Sequence, residues 1–140
     1  MNNQWHIPKD RPVRETSEIE RVLRQLADSL PDSSDGLLTA NVVPTKGWDH
    51  DGIPNIAGKY TLFVIAPKLD GISRRILEVE ANDPMTDFPA EVSFTGEHMS
   101  WKSLGKADNV NSLQTLIQKA LDDPSLKVLL GRLYQKSKNR

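Results

Sequence analysis

Cysteine is absent from the 140 residues. That absence removes disulfides, thiolate zinc sites, iron–sulfur clusters and a cysteine nucleophile from consideration. Long apolar runs are lacking as well. The longest block, Leu62 to Ala66, is far short of the ~20 residues that a membrane-spanning helix requires. Met1 to Pro12 hold no apolar stretch and no small-residue cleavage site, so a signal peptide is not expected. Together these absences lead us to expect a cytoplasmic protein.

Charge of one sign is also missing. Lys and Arg total 18 against 19 for Asp and Glu, a net charge of −1. No global field therefore favours nucleic acid or an anionic membrane, and neither is expected as a partner. Histidine is scarce, with three in the chain, which leaves few general bases for neutral pH. No phosphate-binding, dinucleotide-binding, nucleophile-elbow or zinc-protease motif occurs. No cofactor is expected, and the chain reads more as a non-enzyme than as an enzyme.

What is present is periodicity. Ser17-Glu18-Ile19-Glu20 resembles a capping box, and Ile19, Val22, Leu23, Leu26, Ala27 and Leu30 follow at helical spacing. Pro31 is expected to end that helix. Leu37 to Val43 reads as a first strand. Residues 44–58 read as a long loop around Trp48, and Lys59 to Pro67 as a central strand apolar on both faces and covered on both. Lys68 to Gly71 is a turn signal. Ile72 to Ala81 returns, with Leu77, Val79 and Ala81 on one face and Ile76, Glu78 and Glu80 on the other. Ala90 to Thr95 makes a fourth strand, and Gly96 to Asn109 reads as loop around Trp101. Two helices close the chain, one capped near Asn111 and one starting at Asp123-Pro124.

The expected fold is therefore α+β: an N-terminal helix, a four-stranded, mainly antiparallel sheet and two C-terminal helices, packed in two layers. Residues 1–14 read as a flexible arm, 15–136 as one domain and 137–140 as a frayed basic tail.

Charge is segregated along the chain. Glu78 to Glu97 contains six acids and no Lys or Arg, whereas Lys127 onward has five cations and no acid. Clustered carboxylates suit either a basic protein partner or a hard cation, and they also suit a plain solvated sheet face. Trp48 and Trp101, in segments read as loops, are candidate apolar anchors. The function expected from these features is a non-catalytic protein-binding or regulatory module, with Glu78, Glu80, Glu91, Trp48 and Trp101 meeting another protein or a second copy in a homodimer. The alternatives are a metal-assisted hydrolase using Glu78, Glu80 and Asp70 or Glu91, and weak nucleic-acid binding through the basic C-terminus. Trp48-Asp49-His50-Asp51-Gly52 places two carboxylates beside an imidazole, but an Asx-turn explains it more simply than a metal site does.

Overall fold

The computed structural model describes residues 17–46, 57–83 and 86–140. Helix α1 (Glu18–Ser33) leads into strands β1 (Thr39–Lys46), β2 (Ala57–Ala66), β3 (Ile72–Ala81), β4 (Ala90–Phe94) and β5 (Lys102–Ala107). Helices α2 (Val110–Leu121) and α3 (Pro124–Lys138) follow. The strands form one sheet in the order β1-β2-β3-β4-β5, and every pairing is antiparallel. This is the expected α+β architecture with one strand more.

The additional strand, β5, lies where the sequence suggested a loop. Its run Lys-Ser-Leu-Gly-Lys-Ala has little of the apolar alternation that marks a strand. It is an edge strand, and its lysines together with the irregularity at Leu104, between the pairs Val92–Gly105 and Ser93–Ser103, suit an edge that must not recruit another chain. β1 is the other edge and runs on to Lys46 through Pro44, whose missing N–H costs nothing where no outer strand needs it. β2 is second in order rather than central. One of its faces packs under the helices, but among the described residues no helix or strand lies over the other.

Helix α1 begins as its sequence requires. The Ser17 hydroxyl accepts from the Glu20 amide at 2.9 Å, and Asp87 accepts from the Glu18 amide at 3.0 Å. The Glu20 carboxylate takes Arg24, one turn on. Pro31 does not end the helix, which runs two residues further. A proline removes one donor, but the carbonyls of Leu30 and Pro31 are still met by the amides of Ser34 and Gly36. α2 is capped by Asn109 and Ser112, two residues earlier than the sequence suggested. α3 starts with Asp123 as cap and Pro124 at its first position, as expected. Between β2 and β3, Asp70 (φ 59°) and Gly71 (φ 74°) both adopt the left-handed conformation that reverses the chain.

The core fills the space between one sheet face and the helices. Ile19 and Leu23 of α1, Leu62 of β2, Val79 of β3, Val92 of β4, Leu113 of α2 and Leu126 of α3 are all 2% exposed or less. Tyr60 joins them at the N-terminal end of α1. Burial pushes its phenol above the ordinary value of 10.0, an effect opposed by a hydrogen bond with Ser17 and reinforced by Glu20 and Asp87. Tyr134 is raised as well, chiefly because its hydroxyl donates to Asp35.

For both tyrosines the fold favours the protonated form. Their stabilising contribution is thus whole below the unfolded value and is lost as pH rises through the folded one. Urea midpoints should accordingly be insensitive to these groups up to about pH 10 and fall above it. The Tyr60→Phe/Tyr134→Phe double variant should lose part of that alkaline fall; an identical slope in both proteins would refute the assignment.

Candidate functional site

The face of the sheet opposite the helices collects most of the residues nominated from sequence. Its composition follows from register. Tyr60, Leu62 and Val64 of β2 point to the helices, so Lys59, Thr61, Phe63 and Ile65 point away, as strand alternation dictates. Their Cα partners share their face. Lys59 faces Glu80, Thr61 faces Glu78 and Phe63 faces Arg75. Between Leu77 and Arg75 the register shifts by one residue, and Ile76 is the residue inserted. It is buried on the helix side next to Leu77, so Arg75 before the bulge and Glu78 and Glu80 after it all lie on the open face, while Arg74 shares the face of Val64. The sequence reading had assigned Ile76 to the face of Glu78 and Glu80. The bulge corrects that assignment, because a residue inserted into one strand breaks strict alternation.

Pairing carries the pattern onward. Glu80 lies directly opposite Glu91, and Glu91 opposite Lys106. Lys59, Glu80, Glu91 and Lys106 thus form one row across four strands, with cations at both ends and two carboxylates in the middle. In the next row Glu78 meets Lys59 at 3.2 Å and Arg75 at 3.9 Å. These are partly exposed pairs, each contributing about 0–1 kcal/mol. Arg75 also sits over the Trp101 ring, 5.9 Å from its centroid, which places Trp101 on this face beside the row of Phe63.

The acid run is therefore less acidic in space than in sequence. Lys59, Arg75 and Lys106 come from outside it and sit among its carboxylates. Glu97 turns to the helix side and pairs with Arg132 of α3, so one acid of the run already holds one cation of the basic C-terminal segment. Asp87 caps α1. Glu78, Glu80, Glu91 and Trp101 are brought together, while Trp48 and the loop around His50 lie outside the described residues. Asp70, considered above as a third hydrolase carboxylate, is in the β2–β3 turn, eight residues before Glu78. At 3.3 Å per residue, that places it roughly 20 Å or more away. Among the described residues no group of three or more His, Asp or Glu side chains is gathered that could hold a metal ion.

The apolar component of this face was the part sequence reasoning missed. Phe63 and Ile65 are half-buried, Val43 is 39% exposed and Trp101 is 37% exposed. Val43 pairs with Thr61, and Asn41 with Phe63, so the apolar side chains extend from β1 into β2. The signal was present in the two-sided apolar pattern of β2, which was read as a strand covered on both faces.

A second concave feature lies at the opposite end of β4. There the start of α3 approaches the β4–β5 connection. Ser125 accepts from the Glu97 amide through its hydroxyl at 2.9 Å and its carbonyl at 3.3 Å. His98, Ser100 and Lys102 line a hollow of about 240 Å3 against Asp123 and Ser125. The Asp123 carboxylate already accepts from the Ser125 amide as the helix cap, so its negative charge occupies the end of the helix where an anion would otherwise be attracted. No helix among the described residues is long and apolar enough to cross a membrane. Comparison with known proteins gives no relative: no family model matches the chain, and no curated protein and no solved structure matches it.

Proposed function

We propose that this protein is a non-catalytic binding module that docks another protein on the helix-free face of its sheet. The observation that carries the reading is the grouping of Glu78, Glu80, Glu91 and Trp101 around Phe63 on one face that no described helix covers. Aromatic side chains and arginine are enriched at interface centres, with a polar rim around them. The apolar residues supply the area removed from water, and the charges set orientation and approach rate.

The partner this face fits has an apolar centre and two cationic groups spaced to meet Glu80 and Glu91. A nucleic acid fits poorly, because two carboxylates stand between the cations of the row and no cationic stripe crosses the face among the described residues. A second copy in register fits poorly too. The row from Lys59 to Lys106 reads plus, minus, minus, plus in either direction. Two such faces stacked about a two-fold axis would set like charge on like.

Glu80 and Glu91 offer a test in which binding changes while stability hardly does. Like charges directly opposite across strands destabilise, each such pair by about 0.2–1 kcal/mol. The Glu80→Gln/Glu91→Gln variant relieves that repulsion but gives up the cross-strand pairing of Glu80 with Lys59 and of Glu91 with Lys106, so its stability should stay within about 1 kcal/mol of the parent, while it binds its partner at least tenfold more weakly. The partner is obtained by photo-crosslinking from a reactive residue placed at position 65, then purified so that affinities can be measured. Trp101→Ala should weaken the same complex by a similar factor, and Lys119→Glu on the exposed side of α2 should leave it unchanged. Unaltered affinity in both face variants would end the proposal. Glu78 is kept intact because its loss would strand Lys59 and Arg75 and confuse folding with binding.

A further inference from the structure

The helices do not close completely over the sheet. α1 lies along β1, α2 along β4 and β5, and α3 reaches β2 and the short 3₁₀ turn Pro67–Leu69. Between the C-terminal half of α1 and the α2–α3 junction an opening of about 230 Å3 remains. Its floor is Leu62 and Val64 of β2 and Ile76 of β3, and its walls include Leu30 of α1, Leu121 of α2 and Leu130 of α3. The β3 bulge contributes to this floor, since it turns Ile76 toward the helices alongside Leu77.

We infer that this opening is a binding site for a small, neutral, apolar molecule, of the size of one aromatic ring or a short aliphatic chain. Three observations set that class. The first is volume. The opening exceeds the ~150 Å3 of an engineered leucine-lined cavity that admits benzene, and apolar cavities of that kind stay free of ordered water. The second is the lining, which among the described residues contains no charged side chain. Its two hydroxyls are spent on α1 itself, Ser29 donating to the Leu26 carbonyl at 2.7 Å and Ser33 to the Ser29 carbonyl at 3.2 Å. Among the described residues a carboxylate or phosphate head group would find no cation and no free donor there. The third is that polypeptide backbone is a poor occupant. Its amides would enter walls with nothing to pair them, and a buried unpaired polar group costs about 1–3 kcal/mol.

The site lies on the opposite side of the sheet from Phe63 and Trp101, so it is separate from the protein-docking face and does not rest on that reading. The ligand is held by burial alone, at about 25 cal/mol per Å2 of apolar surface removed from water. Selectivity thus comes from size and from the absence of charge.

The test is a titration of the full chain, carrying labelled Leu, Ile and Val methyl groups, with toluene and with n-hexanol, followed by NMR. Saturable shifts are expected at the methyl groups of Leu30, Leu62, Val64, Ile76, Leu121 and Leu130, while those of Val43 and Ile65 on the other face stay still. Hexanoate, which matches hexanol in length but is charged, should bind at least tenfold more weakly. Ala40, on β1 at the edge of the floor, provides a filling variant: Ala40→Leu should weaken both neutral probes at least tenfold. Leu130→Phe fills the same space from α3, so the test stands if Ala40→Leu does not fold. The inference is overturned if neither probe saturates, if hexanoate binds as well as hexanol, if the shifts fall elsewhere, or if a folded filling variant binds as the parent does.

Discussion

Replacing Leu23 with alanine should cost about 2–5 kcal/mol of folding stability, a large share of the 5–15 kcal/mol typical of a domain, as a rough guide. Leu23 is fully buried on the face of α1 that meets the sheet. The cost of such a truncation depends on how far the surroundings can close on the space left behind. Here α1 has little freedom to move inward, because it is tied at both ends. Ser17 and Asp87 hold its first amides. At its other end the Ser34 hydroxyl donates to Leu30 and Leu38 carbonyls and accepts from the Leu38 amide, and Tyr134 holds Asp35 just beyond. The upper half of the range is therefore expected. Leu30→Ala, at the half-open cleft on the same helix, should cost no more than half as much. Urea unfolding with unchanged slope measures both. A Leu23→Ala cost below about 1 kcal/mol would mean that α1 is not packed as described.

Gly96→Ala should destabilise the protein by about 1–3 kcal/mol, through overpacking alone. A Cβ on Gly96 would lie 2.7 Å from the Ser125 Cβ and 2.8 Å from the Leu126 amide nitrogen. Both belong to the first turn of α3, where Asp123 caps the helix and Ser125 holds the Glu97 amide. Neither can yield without releasing the helix from the β4–β5 connection. Gly96 does not have a positive φ, so backbone strain plays no part. Gly131, on α3 with open space where its Cβ would stand, is the natural control. Gly131→Ala should stabilise by about 0.5–1 kcal/mol, because alanine loses less entropy than glycine in a helix. The two changes differ in sign although the chemistry is the same. Thermal unfolding of both variants, with hydrogen exchange along α3, checks this, and a neutral Gly96→Ala would show that the close approach is absent in solution.

Sequence made some of this structure legible and hid other parts for definite reasons. The start of α1 at Ser17, the start of α3 at Asp123-Pro124 and the turn at Asp70-Gly71 were readable because capping and reversal are local chemistry. The two-layer α+β arrangement followed from strands and helices being separated along the chain. β5 was hidden because a protected edge strand is selected for polarity rather than for apolar alternation. Pro31 misled because its rule concerns a lost donor, and the later amides of Ser34 and Gly36 cover the adjacent carbonyls. Of the candidate site, the shared face of Glu78 and Glu80 was readable from alternation, but its neutralisation was not. Lys59 and Lys106 lie far from the acid run in sequence and reach it only through register. The cleft over Leu62, Val64 and Ile76 could not be read at all, since it depends on how far apart three helices settle.

The order of the sheet also bears on how the chain finds its fold. Each strand pairs with its neighbour in sequence, so the sheet can grow by successive hairpins without any distant segment arriving first. The distant closures come with the helices, which pack α1 on α2 and bring α3 to β2 and the Pro67–Leu69 turn, and among them are the hydrogen bonds of Glu18 with Asp87 across 69 residues and of Tyr134 with Asp35 across 99. Loop-closure entropy grows only as the logarithm of length, about (3/2)RT ln n, so the second closure is scarcely harder than the first. Low sequence separation goes with rapid folding, and it belongs here to the strand pairings, whereas helix packing joins distant parts of the chain. Local reversals such as Asp70-Gly71 therefore suit the sheet to form from adjacent hairpins, and the helices supply the long-range contacts.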